Sequence, residues 1–124
     1  MMTRDLMLKE VVTTYGNVPV KEAIELLFKR HIGCIVIVDG AQRCIGIFTE
    51  RDTIRIVAQN VPLDAAIEKI MTKNPITVNE DSTFEEAKSI IKLQKIRHLP
   101  VTNTNGKLVG LISVRNILDE LSGL

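Results

Sequence analysis

The spacing of hydrophobic and polar residues switches along the chain between runs typical of strands and a helical period. Short β-branched runs indicate strands, and apolar residues three or four apart indicate helices with one buried face. An Asp-Gly pair between two such runs is typical of a hairpin turn. The elements predicted for the first half are a strand over 11–14, a helix carrying Ala23, Leu26 and Leu27, strands over 35–38 and 44–48, and a helix that starts at Thr49.

The second half repeats this order. Its long helix can begin with a capping box, formed either by Ser82 with Glu85 or by Thr83 with Glu86. An Asn-Gly pair separates its two hairpin strands. Its predicted elements are a short linking helix over 63–70, a strand over 76–78, a helix carrying Ala87, Ile90 and Ile91, strands over 99–102 and 108–112, and a helix that starts at Ser113.

The two halves align with each other without a gap, in a register that brings Met7 onto Met71 and Gly46 onto Gly110. This recurrence predicts an α/β fold of two β-α-β-β-α repeats related by a pseudo-twofold, with the first repeat over 1–62 and the second over 63–124. Each repeat alone is near the size at which a core becomes marginal. We therefore expect the repeats to form one module with two related clefts between them.

Composition narrows the possible partners. Lys and Arg total 16 against 15 Asp and Glu, a net charge of +1. Neutralising several phosphates needs a clustered basic surface, so nucleic acid is disfavoured as a partner. The longest strongly apolar run, 34–38, is far shorter than the roughly 20 residues that span a bilayer. The N-terminus does not resemble a signal peptide. These features predict a soluble cytoplasmic protein with no membrane association.

Signals for a metal site or an active site are weak. Cys34 and Cys44 match no metal-ligand spacing, and Cys34 lies in an apolar run that favours burial. His31 and His98 are not accompanied by acidic or cysteine residues at ligand spacing. No serine elbow, phosphate-binding loop or dinucleotide fingerprint occurs. The sequence therefore predicts no catalytic residues, no metal and no required cofactor, and an enzyme is the least favoured class.

One motif occurs in both halves, where the last strand leads into the last helix. It reads GIFTERD over 46–52 and GLISVRN over 110–116. Such a turn points backbone N–H groups and the positive end of the helix dipole outward, which suits an anion. Thr49 and Asp52 lie three apart and face the same side of the first turn, where they offer a hydroxyl and an acceptor for ribose hydroxyls.

The same spacing also fits a simple helix cap, because Ser and Thr are favoured caps and an acid in the first turn suits the dipole. Capping does not require the glycine that stands three positions before the hydroxyl in both copies. A glycine in a strand allows another backbone or a flat ligand to approach closely. We therefore favour ligand binding over capping alone for the recurrent motif.

The segments MTKNPITVNEDSTFEEA (71–87) and IRHLPV (96–101), together with the two motifs, resemble the cystathionine-β-synthase (CBS) domain family. The resemblance is to a tandem pair, the Bateman module, and runs from about Met7 to Leu121. It implies a non-catalytic regulatory sensor, usually a homodimer, that binds AMP, ADP, ATP or a related adenosine ligand in clefts between the repeats. The adenine nucleotide would be a regulatory ligand, and the output would pass to a separate effector protein.

The resemblance also assigns roles to residues. Asp52 and Asn116 would bind the ribose, and Thr49 and Ser113 its phosphate side. Arg97 and His98 match positions where family members often place basic groups against phosphate. The residues implied to line the adenine pockets are Val12 and Thr13 in the first repeat and Ile76 and Thr77 in the second.

The two predicted clefts are unequal. The first copy has Gly33 and Cys34 where the second has Arg97 and His98, so it lacks the basic pair. Its carboxylate, in contrast, is a stronger acceptor for a diol than the amide of the second copy. We expect affinities that differ by at least about tenfold, or about 1.4 kcal/mol.

Two other interpretations stay open. The chain could be a ligand-free interaction or dimerisation module, in which the four motif residues are helix caps. It could also be a nucleic-acid-binding accessory, if basic residues from both repeats converged on one face.

Overall fold

The structure, a computed structural model, describes residues 1–122. Strands and helices alternate as the repeat pattern predicts, with a short helix added at the start. In chain order the elements are α1 (Thr3–Leu6), β1 (Thr13–Tyr15), α2 (Val20–Arg30), β2 (Cys34–Val38), β3 (Cys44–Thr49), α3 (Glu50–Ala58), a 3₁₀ turn (Ile67–Lys69), β4 (Thr72–Lys73), β5 (Val78–Asn79), α4 (Phe84–Gln94), β6 (His98–Thr102), β7 (Leu108–Ser113) and α5 (Val114–Ser122).

The chain divides into two compact units. The continuous unit, Val12–Pro75, contains a four-stranded sheet in the order β1-β2-β3-β4. Strands β1 and β2 are parallel, whereas β2, β3 and β4 pair antiparallel. Helices α2 and α3 each bury one face in the unit's core. That core is built on Val20, Ala23, Leu27, Ile35, Ile37, Phe48, Ile56 and Ile67.

The composite unit joins Met1–Val11 to the chain from Ile76 onward. Its three-stranded sheet has the order β5-β6-β7, with β5 parallel to β6 and β6 antiparallel to β7. Its core repeats the pattern of the continuous unit. The residues that form it are Val78, Phe84, Ala87, Ile91, Leu99, Val101, Ile112 and Ile117.

Both hairpins close through an acid or amide at the same position of the repeat. Asp39 Oδ1 accepts the backbone N–H groups of Ala41 and Arg43 at 2.9 and 3.0 Å. These backbone hydrogen bonds, that of Arg43 first, lower the pKa of Asp39. Asn103 Oδ1 accepts from Asn105 and Lys107 at 2.9 and 3.0 Å. The Asp-Gly and Asn-Gly signals therefore marked the hairpins correctly.

The segment that precedes each repeat's first strand packs in the unit that holds the other repeat's sheet. The Ile67 N–H donates to Val18 O at 2.9 Å within the continuous unit. In the composite unit, the Thr3 N–H donates to Ser82 O at 2.8 Å, which is the equivalent bond in the gapless alignment of the halves. Compact units and sequence repeats thus divide the chain differently, and the repeat boundary after residue 62 stays a prediction.

The helix predicted over 63–70 is wrong in extent, because only Ile67–Lys69 is helical, as a 3₁₀ turn. The carbonyls of Leu63 and Ala65 accept the N–H groups of Lys21 and Val20, at 3.0 and 2.8 Å. Those two donors have no acceptor within α2, and Pro19 gives no side-chain cap. The segment forms a turn, in which the Ala65 N–H donates to Pro62 O at 3.1 Å, and its Leu63 and Ala65 carbonyls complete the start of α2.

The first strand of each repeat starts two positions later than predicted, at Thr13 instead of residue 11 and at Val78 instead of residue 76. Paired residues in the parallel ladders begin only there. The Thr83 hydroxyl accepts the Glu86 N–H at 3.1 Å, so the second of the two predicted capping positions starts α4. The α/β repeat fold is confirmed.

Candidate functional site

The motif of the first repeat forms a tight strand–helix turn. Thr49 ends β3 with extended backbone, and α3 begins at the next residue. Asp52 Oδ2 accepts the Thr49 N–H at 2.8 Å and the Thr49 hydroxyl at 3.3 Å. The carboxylate thus caps its own helix and is fixed beside the hydroxyl, as the spacing of the two residues predicts.

The second repeat builds the same turn with neutral groups. Asn116 Oδ1 accepts the Ser113 N–H at 3.0 Å and the Ser113 hydroxyl at 2.8 Å. The Asn116 N–H donates to Ser113 Oγ at 3.1 Å, which completes a reciprocal cap. Both pairs therefore have a structural role at a helix start, whether or not they also bind a ligand.

Sheet pairing places the other predicted residues of the first repeat near its turn. Cys34 lies directly opposite Thr49 across β2 and β3, and the Glu50 N–H donates to Gly33 O at 3.2 Å. The Val36 N–H donates to Val12 O at 3.1 Å, which puts the start of β1 at the same end of the sheet. Since Thr13 follows Val12 and begins β1, it lies at this end as well.

The composite unit gathers the corresponding residues. His98 lies directly opposite Ser113, and the Val114 N–H donates to Arg97 O at 3.0 Å. Ile76 and Thr77 are exposed and lie immediately before β5, which runs parallel to β6. The predicted residues of each repeat are therefore collected at one sheet end of one unit.

The two sheet ends differ in charge. Arg97 is exposed, and its backbone carbonyl is bonded to the second turn. In the first repeat, Gly33 stands at the position of Arg97 and Cys34 at that of His98. Burial first, and then the nearby Cys44 and Asp52, raise the pKa of the Cys34 thiol to about 12. The thiol is therefore neutral at physiological pH and offers no charge to a phosphate.

A methionine side chain packs against the glycine of each motif. A Cβ at Gly46 would collide with the thioether of Met71, and one at Gly110 would collide with that of Met7 and lie 3.0 Å from the carbonyl oxygen of Leu8. Each glycine thus admits a neighbouring chain segment. No flat ligand is needed to explain either glycine, which removes one argument for ligand binding over capping.

Arg55 is a residue that the sequence interpretation missed. Its Nη2 donates to the carbonyl oxygen of Ile70 at 2.8 Å and lies 3.4 Å from Asp52 Oδ1. Its position three places after Asp52 on one helix is the only signal in the sequence. The bond to Ile70 depends on tertiary packing.

A groove of about 550 Å³ lies between α2 and α3 of the continuous unit. Its wall includes Phe28 and Ile54, which are 79% and 72% exposed. His31 also lines it and ends α2 in a left-handed conformation. The groove is apolar for the most part and lies on the helical side of the unit.

Among residues 1–122, no three His, Cys, Asp or Glu side chains are grouped to hold a metal ion. Within the same residues, no helix is long and apolar enough to cross a membrane.

Comparison with known proteins identifies the family. The CBS domain matches the chain twice, over residues 4–59 and 67–123. The chain therefore belongs to the CBS domain family, as a tandem pair, and the resemblance of its motifs to that family is confirmed.

Relatives include small proteins and longer enzymes. An uncharacterized 17.7 kDa protein of Acidianus ambivalens is 38% identical over 112 residues, which are 90% of this chain and 68% of that protein. Inosine-5′-monophosphate dehydrogenase of Aquifex aeolicus is 35% identical over 108 residues, which are 86% of this chain and 22% of the enzyme. The chain thus matches only a small part of that enzyme.

Solved structures share the fold over the whole chain. The CBS domain pair of protein MJ0100, in complex with 5′-methylthioadenosine and S-adenosyl-L-methionine, has a TM-score of 0.90 at 29% identity and covers 99% of this chain and 97% of its own. The CBS domain protein PAE2072 from Pyrobaculum aerophilum, complexed with AMP, has a TM-score of 0.88 at 30% identity, with both chains fully covered.

Proposed function

We propose that this chain is a regulatory sensor that binds an adenosine-containing ligand at the strand–helix turns of its two repeats. The observation that carries the proposal is the recurrence of one hydroxyl and one oxygen acceptor at both turns. Two similar CBS proteins bind AMP or the adenosine compounds 5′-methylthioadenosine and S-adenosyl-L-methionine. These ligands share adenine and a ribose, which an acceptor and apolar walls suit.

The proposed roles follow the chemistry of each side chain. Asp52 and Asn116 accept ribose hydroxyls, and Thr49 and Ser113 bond the phosphate side. Because the oxygens of a carboxylate offer about four acceptor sites, Asp52 can keep its cap bonds and still accept from a ribose. The Val12–Thr13 and Ile76–Thr77 pairs would contact adenine, and Arg97 and His98 would contact phosphate in the second repeat.

Dimerisation through the helices belongs to the proposal. Ile54 and Val57 on α3 are 72% and 67% exposed, and the equivalent residues of α5, Leu118 and Leu121, are 58% and 68% exposed. Apolar pairs at the same repeat position and three places apart form a face on each helix. A second copy of the chain, which carries the same apolar residues, can cover both faces.

A partner protein would carry the output. CBS domains also occur within longer enzymes, where the region similar to this chain is a small part. A ligand changes the partner's state only if it binds one conformation of the sensor better than another. We propose that occupation of the turns selects such a conformation in this protein.

Thermal unfolding of metabolite-free protein tests the proposal. AMP, ADP, ATP, S-adenosylmethionine and NAD are added in turn, and a ligand at 100 times its Kd is expected to add about 2.7 kcal/mol. Asp52→Ala should abolish or weaken the shift, whereas Asp119→Ala, which removes an exposed carboxylate on α5, should retain it. Indifference of the wild-type protein to all five compounds at millimolar concentration would refute ligand sensing.

A ligand-free interaction module is the second candidate, and the completed caps favour it. Asp52 and Asn116 already accept hydrogen bonds from their own helix starts. If capping is their whole role, replacing either by Ala lowers stability by about 1 kcal/mol and leaves assembly with a partner intact. The thermal shift by nucleotides separates the two candidates.

A further inference from the structure

Arg55 connects the proposed ribose acceptor to a distant piece of backbone. Its Nη2 donates to Ile70 O at 2.8 Å and lies 3.4 Å from Asp52 Oδ1. The Asp52 side chain is 13% exposed, and that of Arg55 is 40% exposed. Because the bond to the carbonyl is the shorter, the guanidinium is anchored mainly to Ile70, and its position follows that backbone.

Ile70 belongs to a segment held by several other interactions. It follows the 3₁₀ turn, and the next residue, Met71, packs on Gly46. Thr72 and Lys73 then pair with β3, and the Asn74 N–H donates to Ile45 O at 3.1 Å. We call residues 70–74 the docked segment. It lies just before Pro75, the last residue of the continuous unit.

The second repeat lacks this connection. In the gapless alignment of the repeats, Asp119 occupies the position equivalent to Arg55. A carboxylate has no N–H group with which to link an oxygen acceptor to a carbonyl. The link from Asp52 through Arg55 to the Ile70 carbonyl, which we call the bridge, therefore occurs only in the first repeat. The acceptor of that repeat is a carboxylate instead of an amide.

We propose that Arg55 is a positioning residue that couples the Asp52 carboxylate to the docked segment. A ribose that bonds Asp52 fixes the carboxylate, the carboxylate fixes the guanidinium, and the guanidinium holds the Ile70 carbonyl. Occupation of the first site would thereby make local opening of the docked segment, which leads into the second repeat, less frequent. The ligand part rests on the proposed function, whereas the coupling of Asp52 to the segment does not.

Amide hydrogen exchange of the ligand-free chain tests the coupling itself. The probes are the amides of residues 71–74. Arg55→Ala is expected to raise their exchange rates about tenfold, as loss of a bond from a charged donor implies. Asp52→Ala should raise them as well, and the double variant should add little to either. Arg55→Lys, which keeps the charge and one donor, should restore part of the protection.

A matched control separates this effect from a general loss of charge. Arg30→Ala removes an exposed guanidinium from the end of α2 in the same unit and should leave the probe amides unchanged. If Arg55→Ala leaves their exchange at the wild-type rate, the bridge has no effect and the inference fails. It also fails if Arg55→Ala accelerates exchange while Asp52→Ala does not, since the carboxylate is then uncoupled.

The second experiment adds AMP. In the wild-type chain, saturating AMP should slow exchange of residues 71–74 about tenfold, and in Arg55→Ala the bound nucleotide should slow it far less. Equal protection in both chains would overturn the link between ribose and segment. If no adenosine compound binds the wild-type chain, the proposed function fails and the link to ribose with it, while the ligand-free exchange still decides whether Asp52 and Arg55 are coupled.

Discussion

Met71 packs its thioether on Gly46, in the space that a side chain of β3 would occupy. Substitution Gly46→Ala should therefore force Met71 to move and lower the free energy of unfolding by about 1–3 kcal/mol, as overpacked cores do. Urea denaturation measures this change. Gly40→Ala is the control, because a Cβ at Gly40 meets nothing within 4 Å and should have little effect.

A double variant identifies the cause of the Gly46 effect. If the collision with Met71 causes the loss, Met71→Ala should remove most of the extra cost of Gly46→Ala, so the two changes are not additive. If the changes in the free energy of unfolding caused by the two substitutions simply add in the double variant, the packing explanation is wrong. The close approach of a flat ligand, which the sequence suggests, would then be the better explanation of Gly46.

The sequence predicted the repeat fold well because periodicity and turn residues are local. Asp39 and Asn103 close their hairpins through bonds to residues two and four positions away, which a sequence pattern can reveal. The helix predicted over 63–70 was wrong in extent because the spacing of its apolar residues is typical of a short helix. Its carbonyls are used instead by the start of α2, which lies far earlier in the chain.

In the candidate site, too, the sequence predicts local contacts but not contacts between residues far apart in the chain. The spacing of Thr49 and Asp52 predicted their contact, because it is fixed within one helical turn. The alignment also paired Met7 with Met71 and Gly46 with Gly110. It could not show that each glycine receives the methionine of the other repeat, nor that Arg55 reaches Ile70, because tertiary packing decides both.

The buried thiol of Cys34 should make stability fall at alkaline pH. Its pKa is about 12 in the folded chain, raised first by burial from 9.0. Between these values the unfolded thiol has lost its proton and the folded one has kept it, so the folded state binds more protons and stability falls as pH rises. The slope from this thiol is at most about 1.4 kcal/mol per pH unit.

Urea denaturation from pH 8 to pH 11 checks the thiol effect by comparing the wild-type chain with Cys34→Ala. The variant should be less stable at pH 8, since a buried side chain is truncated, but its stability should fall less steeply above pH 9. Parallel curves for the two chains would show that Cys34 does not titrate as described.

The exposed apolar faces of α3 and α5 predict association in solution. Ile54→Glu with Leu118→Glu should convert a dimer to a monomer, because a charge in an apolar interface is left unpaired and desolvated. Sedimentation velocity measures the change, and Thr104→Glu, in the β6–β7 turn, is the charge control. A wild-type chain that sediments as a monomer at all concentrations would exclude a homodimer through these faces.

The two sites should differ in affinity for AMP by at least about tenfold. The first offers the Asp52 carboxylate, a strong acceptor for a diol, and the second adds the Arg97 guanidinium, which can form charge-assisted bonds to phosphate. Isothermal titration calorimetry should therefore resolve two binding events, and Arg97→Ala should weaken AMP binding far more than adenosine binding. Since a surface guanidinium is screened by salt, the contribution of Arg97 should also shrink as ionic strength rises. Two equal sites, or equal losses for AMP and adenosine, would contradict this assignment of phosphate to the second repeat.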